Sequence, residues 1–281
     1  MLKACIFDLG GTIVDRYSLS PFLSLKEAFK INNLIINQKL IFNDMGMDKR
    51  EHIQKILKDK YVHRNFFHNE GRFVNDKDVN QIYSDFNNIQ LCRSKVIDII
   101  PETKETLSYL KEKNILIGVN TGFNRKITEN IINVLTKEGI HIDEYVSSSC
   151  LDLPGRPKPY MINHLMDKFK IKNPDEVMKI DDTNIGVLEG KNAKCLSIGV
   201  ARWSTYMKVR DKYEMRSLTE DDIKWAQGDP SVANEKHWVS TFINPIFSGG
   251  NSLANFVLDA ADEVSHDPIV TFLNWGWDTF M

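Results

Sequence analysis

Leu2-Lys3-Ala4-Cys5-Ile6-Phe7-Asp8-Leu9-Gly10-Gly11-Thr12 is the stretch that decides the fold. A short apolar run, residues 2–7, closes on a carboxylate and then on a glycine pair. A buried strand entering a tight turn has this form. The pattern recurs downstream. Residues 115–119 lead to Thr121-Gly122, residues 177–180 lead to Asp181-Asp182, residues 195–200 form a further apolar run, and residues 256–258 a fifth. Helical spacings lie between them, over residues 103–113, 126–138, 159–169 and 185–193. Strands alternating with helices predict an α/β protein with a parallel sheet. Parallel sheets bind ligands beyond the C-terminal ends of their strands. Asp8, Thr121 and the Asp181-Asp182 pair are therefore expected to meet in one crevice.

Residues 16–100 break the alternation. Helix-compatible spacings over residues 22–29, 50–58 and 79–90 predict an all-helical insert after the first strand, read as a cap domain. The chain would cross into it near residues 15–17 and return near residues 98–101. The expected division is a core of residues 1–15 and 101–281 and a cap of residues 16–100. Residues 204–251 and 272–281 read as atypical C-terminal elements. Trp203, Trp225 and Trp238 suggest packing onto another surface, Gly249-Gly250-Asn251 a turn, and Trp275 and Trp277 a docking tail.

Composition narrows the function classes. With 281 residues, 42% of them apolar, the chain can bury a large core. A net charge of −2 and no long basic run argue against nucleic acid as a partner, whereas a small anion needs only a local basic pocket. Cys5, Cys92, Cys150 and Cys195 are far apart, with no zinc spacing, and read as reduced thiols of a cytoplasmic protein. The N-terminal run is too short for a signal peptide, and no stretch approaches a membrane span.

The strand ends carry the chemistry. Asp8 can present one carboxylate oxygen as a nucleophile and the other to a metal. Gly10 and Gly11 let the backbone approach a phosphate, with Thr12 completing the turn. Thr121 offers a hydroxyl and Gly122 a close backbone. Arg156 lies in Pro154-Gly155-Arg156-Pro157-Lys158-Pro159, a rigid turn, and could neutralise a phosphoryl group. Asp182, with Asp8 and the Gly10 carbonyl, would make a Mg²⁺ site, and Asp181 is a second candidate ligand.

These four motifs in order, Phe7-Asp8-Leu9-Gly10-Gly11-Thr12, Thr121-Gly122, Gly155-Arg156-Pro157-Lys158-Pro159 and Ile180-Asp181-Asp182-Thr183, resemble those of the haloacid dehalogenase superfamily. The resemblance runs from residue 2 to about residue 264. It implies a Rossmann-like core with a small helical cap of the C1 type. Most phosphatases of the superfamily carry an acid/base Asp two residues after the nucleophile; here that position is Gly10. Phosphonoacetaldehyde hydrolases also have a small residue there, and carry a cap pattern Met-Gly-x-x-Lys-x-x-His. Met45-Gly46-Met47-Asp48-Lys49-Arg50-Glu51-His52 is similar to it.

By that resemblance Lys49 forms a Schiff base with the substrate aldehyde, and Met45 and Gly46 line the substrate site. On a helix, Lys49 and His52 would share a face, so His52 could shuttle a proton. A homodimer is also implied. The sequence departs from the pattern at Gly186, where a further Asp is usual four residues after Asp182, at Phe123 in place of Tyr, and at Ser18 in place of Cys. The expected function is hydrolysis of phosphonoacetaldehyde to acetaldehyde and phosphate. The alternatives are a phosphatase acting on another small phosphonate or phosphomonoester, and a non-catalytic binding protein.

Overall fold

The structure is a computed structural model and describes residues 1–151, 153–200 and 203–205. Five parallel strands form one sheet in the order β3-β2-β1-β4-β5. These are β1 (Ala4–Phe7), β2 (Leu116–Thr121), β3 (Glu144–Ser147), β4 (Val177–Asp181) and β5 (Leu196–Gly199). β1 is central and buried along its whole length, as a parallel strand covered on both faces must be. Its register sets Phe7 opposite Val119 of β2 and Ile180 of β4. The residues one step further on, Asp8, Asn120 and Asp181, therefore come level at the C-terminal edge. The chain passes from β1 outward through β2 to β3, then returns to β4 on the other side. That reversal opens a crevice at the end of β1, where such sheets bind ligands.

Four of the expected strands are present. β3 escaped the sequence reading because an edge strand needs little apolar surface, and Glu144 and Tyr145 are half-buried. The expected strand at residues 256–258, the tryptophans 225, 238, 275 and 277, and the turn at residues 249–251 lie outside the described residues. Helices α6 (Thr103–Glu112), α7 (Arg125–Lys137), α8 (Tyr160–Phe169) and α9 (Asn184–Asn192) follow the spacings. In α7, Asn124 accepts the Ile127 amide hydrogen bond at the N-terminus, and Ile127, Ile131 and Leu135 form the buried stripe.

Between β1 and β2 lie α1 (Leu19–Ile31), α2 (Gln38–Asn43), α3 (Lys49–Lys58), α4 (Lys60–Glu70) and α5 (Asp76–Arg93). The insert is helical, as expected; the short α2 and the largely exposed α4 had no clear apolar stripe to betray them. Its apolar residues Phe29, Ile53 and Phe86 continue the cluster formed by Phe7, Val119 and Ile180 of the sheet. The outgoing and returning segments lie side by side. Asp15 N–H donates to the Asp98 carbonyl at 2.7 Å, and Ile100 N–H to that of Ile13 at 3.0 Å.

Candidate active site

The expected convergence occurs. Asp8, at the end of β1, is buried, and its Oδ1 lies 2.8 Å from Arg156 Nη2. Arg156 is 2% exposed, and acceptors surround its guanidinium. Nη2 also donates to the Asn120 carbonyl at 2.6 Å and to Asn120 Oδ1 at 2.7 Å. Nη1 lies 3.2 Å from Asp181 Oδ2, and Nε 3.0 Å from Glu189 Oε2. The carboxylates hold the guanidinium charged against the cost of burial. A planar donor fork locked this way cannot rotate, so its charge stays aimed at Asp8.

Asp181 and Asp182 are neighbours with different surroundings. Asp181 Oδ1 accepts from Thr183 N–H at 2.9 Å and Thr183 Oγ1 at 2.7 Å, and Oδ2 lies 2.8 Å from Lys179 Nζ. Burial opposes its charge, but Lys179, Arg156 and these hydrogen bonds hold the carboxyl below the usual range. Asp182 Oδ2 accepts from Thr205 N–H at 2.8 Å, while Oδ1 is buried without a hydrogen-bond partner. Asp182 is pushed well above the ordinary carboxylate range by burial and then by Asp181 and Asp8. Asp8 is raised as well, chiefly by burial, with Arg156 opposing.

Ligand atoms of Asp8, Asp181 and Asp182 lie within 4.8 Å of one another. An orphaned carboxylate oxygen among buried anions fits a divalent cation, whose charge would offset their repulsion. Asp182 and Asp8 are the better donors, because both oxygens of Asp181 are already engaged. Gly11 matters here: its φ is +75°, and a Cβ would meet Asp182 Oδ2 at 2.2 Å.

The helical insert closes the crevice from the other side. Asp48 caps α3, its Oδ1 accepting from Arg50 N–H at 2.9 Å and Glu51 N–H at 3.2 Å. Its Oδ2 accepts from Ser148 Oγ at 2.7 Å, which pins the start of α3 to the end of β3. Gly122 and Gly46 permit the close fit, since a Cβ on Gly122 would meet the Met47 carbonyl oxygen at 2.5 Å and one on Gly46 would meet Thr183 Oγ1 at 2.6 Å. The first residue of α3 is thereby delivered into the crevice. Lys49 is 4% exposed, with Nζ 3.7 Å from Met45 Sδ. Burial pushes its amine down to about 8, although Asp8, Asp48 and Asp182 favour the charged form.

A cleft, about 320 Å³ with the solvent-open space at its mouth included, is lined by Asp8, Gly10, Met45, Gly46, Lys49, Thr121, Gly122, Arg156 and Asp182, with Ser18 and Phe123 beside them. Four residues expected at the site do not line it, and one of these, Asp181, turns to Lys179 and Arg156. Gly11 backs Asp182 instead. The Thr12 hydroxyl is buried and unbonded. His52 is fully buried beside the backbone of Leu40 and Ile41, and its imidazole is pushed down to about 3 by burial and the nearby Lys49 charge. The sequence reading missed Asn120, Lys179 and Glu189, which hold Arg156 and Asp181. A lysine inside the apolar run of β4 was the available cue, since an isolated buried ammonium requires an anion.

The departure at Gly186 also has a structural account. A Cβ on Gly186 would lie 1.9 Å from Asp181 Oδ2, so the Asp181 carboxylate fills the space beside that glycine. Gly186→Ala should lower stability by roughly 2–3 kcal/mol through overpacking, outweighing the ~1 kcal/mol helical gain of Ala over Gly. Denaturant unfolding would measure it; a variant as stable as wild type would show that Asp181 can move freely.

Comparison with known proteins agrees with this architecture. The haloacid dehalogenase-like hydrolase family matches residues 5–200. Phosphonoacetaldehyde hydrolase of Latilactobacillus sakei subsp. sakei is 35% identical over 207 residues, covering 73% of this chain and 78% of that protein. Phosphonoacetaldehyde hydrolase of Paraburkholderia phytofirmans is 32% identical over 238 residues, covering 84% and 86%. A phosphonoacetaldehyde hydrolase-like protein from Oleispira antarctica shares the fold, with a TM-score of 0.72 at 23% identity over 89% of this chain and 95% of that one. With its four motifs gathered at one sheet edge, the chain belongs to the haloacid dehalogenase-like hydrolases and, within them, to the phosphonoacetaldehyde hydrolase family.

Proposed function

We propose that the protein hydrolyses the carbon–phosphorus bond of phosphonoacetaldehyde, giving acetaldehyde and phosphate. One observation carries this reading: a buried lysine amine, pushed down to about 8, shares a cleft with the Asp8 carboxylate. Carbon leaves phosphorus only when its electrons can be delocalised. The Lys49 amine condenses with the aldehyde, loses water and forms an iminium, which is such an electron sink. Asp8 then attacks phosphorus. The carbon–phosphorus electron pair moves toward the iminium and leaves an enamine on Lys49. Protonation at carbon returns an imine, and one water releases acetaldehyde and the amine. A second water hydrolyses the aspartyl phosphate. Net consumption is one water, since imine formation released one.

Arg156 holds Asp8 Oδ1 at 2.8 Å and faces the transferring phosphoryl oxygens. Thr121 donates to the same group. Asp8, Asp182 and the Gly10 carbonyl would hold Mg²⁺, which when bound supplies positive charge against the phosphoryl oxygens. His52, buried away from the cleft with its imidazole pushed down to about 3, takes no proton-transfer role. Residues 16–100 act as a cap that excludes water from the iminium. Gly10 removes the general acid an ester would need, and a Cβ there would lie 3.2 Å from Ser18 Oγ, so a larger residue requires Ser18 to yield.

Phosphate release with Mg²⁺ from phosphonoacetaldehyde should exceed that from p-nitrophenyl phosphate by a factor on the order of 10² or more in kcat/KM, the scale of the missing acid catalysis. The reverse ranking would make the protein a phosphatase.

A further inference from the structure

Tyr17, Ile100 and Trp203 form a buried cluster apart from the main core. Tyr17 lies on the outgoing crossing into the helical insert, and Ile100 on the returning one. Trp203 joins them in this cluster and meets Tyr17 directly. Its carbonyl accepts the Tyr17 N–H at 2.8 Å, its ring meets that of Tyr17 edge-on at 5.8 Å, and the Arg16 guanidinium lies 5.6 Å over it. Arg16 Nε in turn contacts Asp98 Oδ2 at 2.6 Å, tying the crossings together.

The next two residues reach the other end of the problem. Ser204 Oγ donates to the Asp182 carbonyl at 3.0 Å, and Thr205 N–H donates to Asp182 Oδ2 at 2.8 Å. Those bonds leave Asp182 Oδ1 as the buried oxygen without a hydrogen-bond partner. We propose that Trp203 is a positioning residue that couples the helical insert to Asp182, through a three-residue strap from the crossings to the metal-binding carboxylate. The inference rests on the Mg²⁺ site assigned above.

The crossing itself favours such a device. Asp15, Tyr17 and Ser18 have φ of 57°, 63° and 49°, in the left-handed region that side-chain-bearing residues avoid. Such a segment persists only where its surroundings over-determine it, and Trp203 is a large part of the surroundings of Tyr17. Ser18, one residue on, reaches the cleft. A shift of the insert about this crossing must either break the Tyr17–Trp203 contact or pull residues 203–205, and the second turns Asp182. By linkage, cation binding at Asp182 must then steady the crossings to the same degree.

Hydrogen exchange on the wild-type protein, with and without Mg²⁺, reads this directly. Mg²⁺ should slow exchange at residues 15–18 and 98–100. Calorimetry should show Mg²⁺ binding to Trp203→Ala weakened about tenfold, with the protection at the crossings lost, while Trp203→Phe keeps both near wild type. Crossings that exchange equally with and without Mg²⁺ would overturn the coupling whatever the variants do, so a variant that failed to fold would not shelter it. A folded Trp203→Ala that bound Mg²⁺ as wild type does would overturn it too. A wild-type protein that bound no Mg²⁺ at all would overturn the metal assignment and the coupling together, an outcome distinct from the other two.

Discussion

Borohydride added with phosphonoacetaldehyde should fix a covalent adduct on Lys49 of the wild-type enzyme and none on Lys49→Ala. Turnover of the variant should fall by a factor on the order of 10⁴, since the electron sink is lost entirely. The size follows from the amine's surroundings. Lys49 is 4% exposed, and its pKa is about 8 rather than the ordinary 10.5. At pH 7 roughly one amine in ten is then neutral, against about one in 3,000 for an unshifted lysine. The neutral form is the nucleophile, so the trapping rate should rise with pH and level off above about pH 8. Peptide mapping of the reduced adduct checks the site. Equal labelling of the variant would remove Lys49 from the reaction and leave the phosphoryl-transfer site standing.

Asp8→Asn should abolish phosphate release, with a loss on the order of 10⁴-fold or more, because an amide cannot form the acyl phosphate. Imine trapping at Lys49 should survive, as condensation does not use the Asp8 nucleophile. Retained trapping with lost phosphate would order the two steps as proposed. Loss of both would mean that Asp8 also binds the substrate. Stability should move the other way. Asp8 is raised above its unfolded value by burial and by Asp181, so its charged form costs stability that is fully present only when the group is protonated and is lost as pH rises through the folded pKa. Asn never carries that charge. In Mg²⁺-free buffer near neutral pH the variant should melt no lower than wild type, and Mg²⁺ should narrow the gap by compensating the wild-type carboxylates.

The two outcomes depend on parts of the molecule that were unequally visible beforehand. β1, β2, β4 and β5 announced themselves as apolar runs closed by polar residues, because a strand buried on both faces has no room for alternation. β3 did not, because at the sheet edge its first residues, Glu144 and Tyr145, are only half-buried. Asp8, Thr121 and Asp182 were legible because the ends of parallel strands are where such sheets place ligands, and Arg156 because its proline-rich turn fixes a cation. Lys49 was legible only through the resemblance of the Met45–His52 stretch to a family pattern, and its partner His52 turned out to face the backbone of Leu40 and Ile41 rather than the cleft.

Asn120, Lys179 and Glu189 lie 10 to 69 residues from one another, and no local pattern joins them. They meet because β2 and β4 end on the side of the sheet where α9 begins. The choice between Asp181 and Asp182 shows the division most clearly. The sequence by itself determined the alternation of strands and helices, the placement of acids at strand ends and the glycine at position 10, since these follow from local burial and chain geometry. Only the tertiary structure decided that Asp181 turns to Lys179 and Arg156 while Asp182 keeps an oxygen unbonded, and that α3 carries Lys49 out of water. Those outcomes depend on which charges and packing surfaces distant segments bring together, and desolvation and Coulomb energies act through space rather than along the chain.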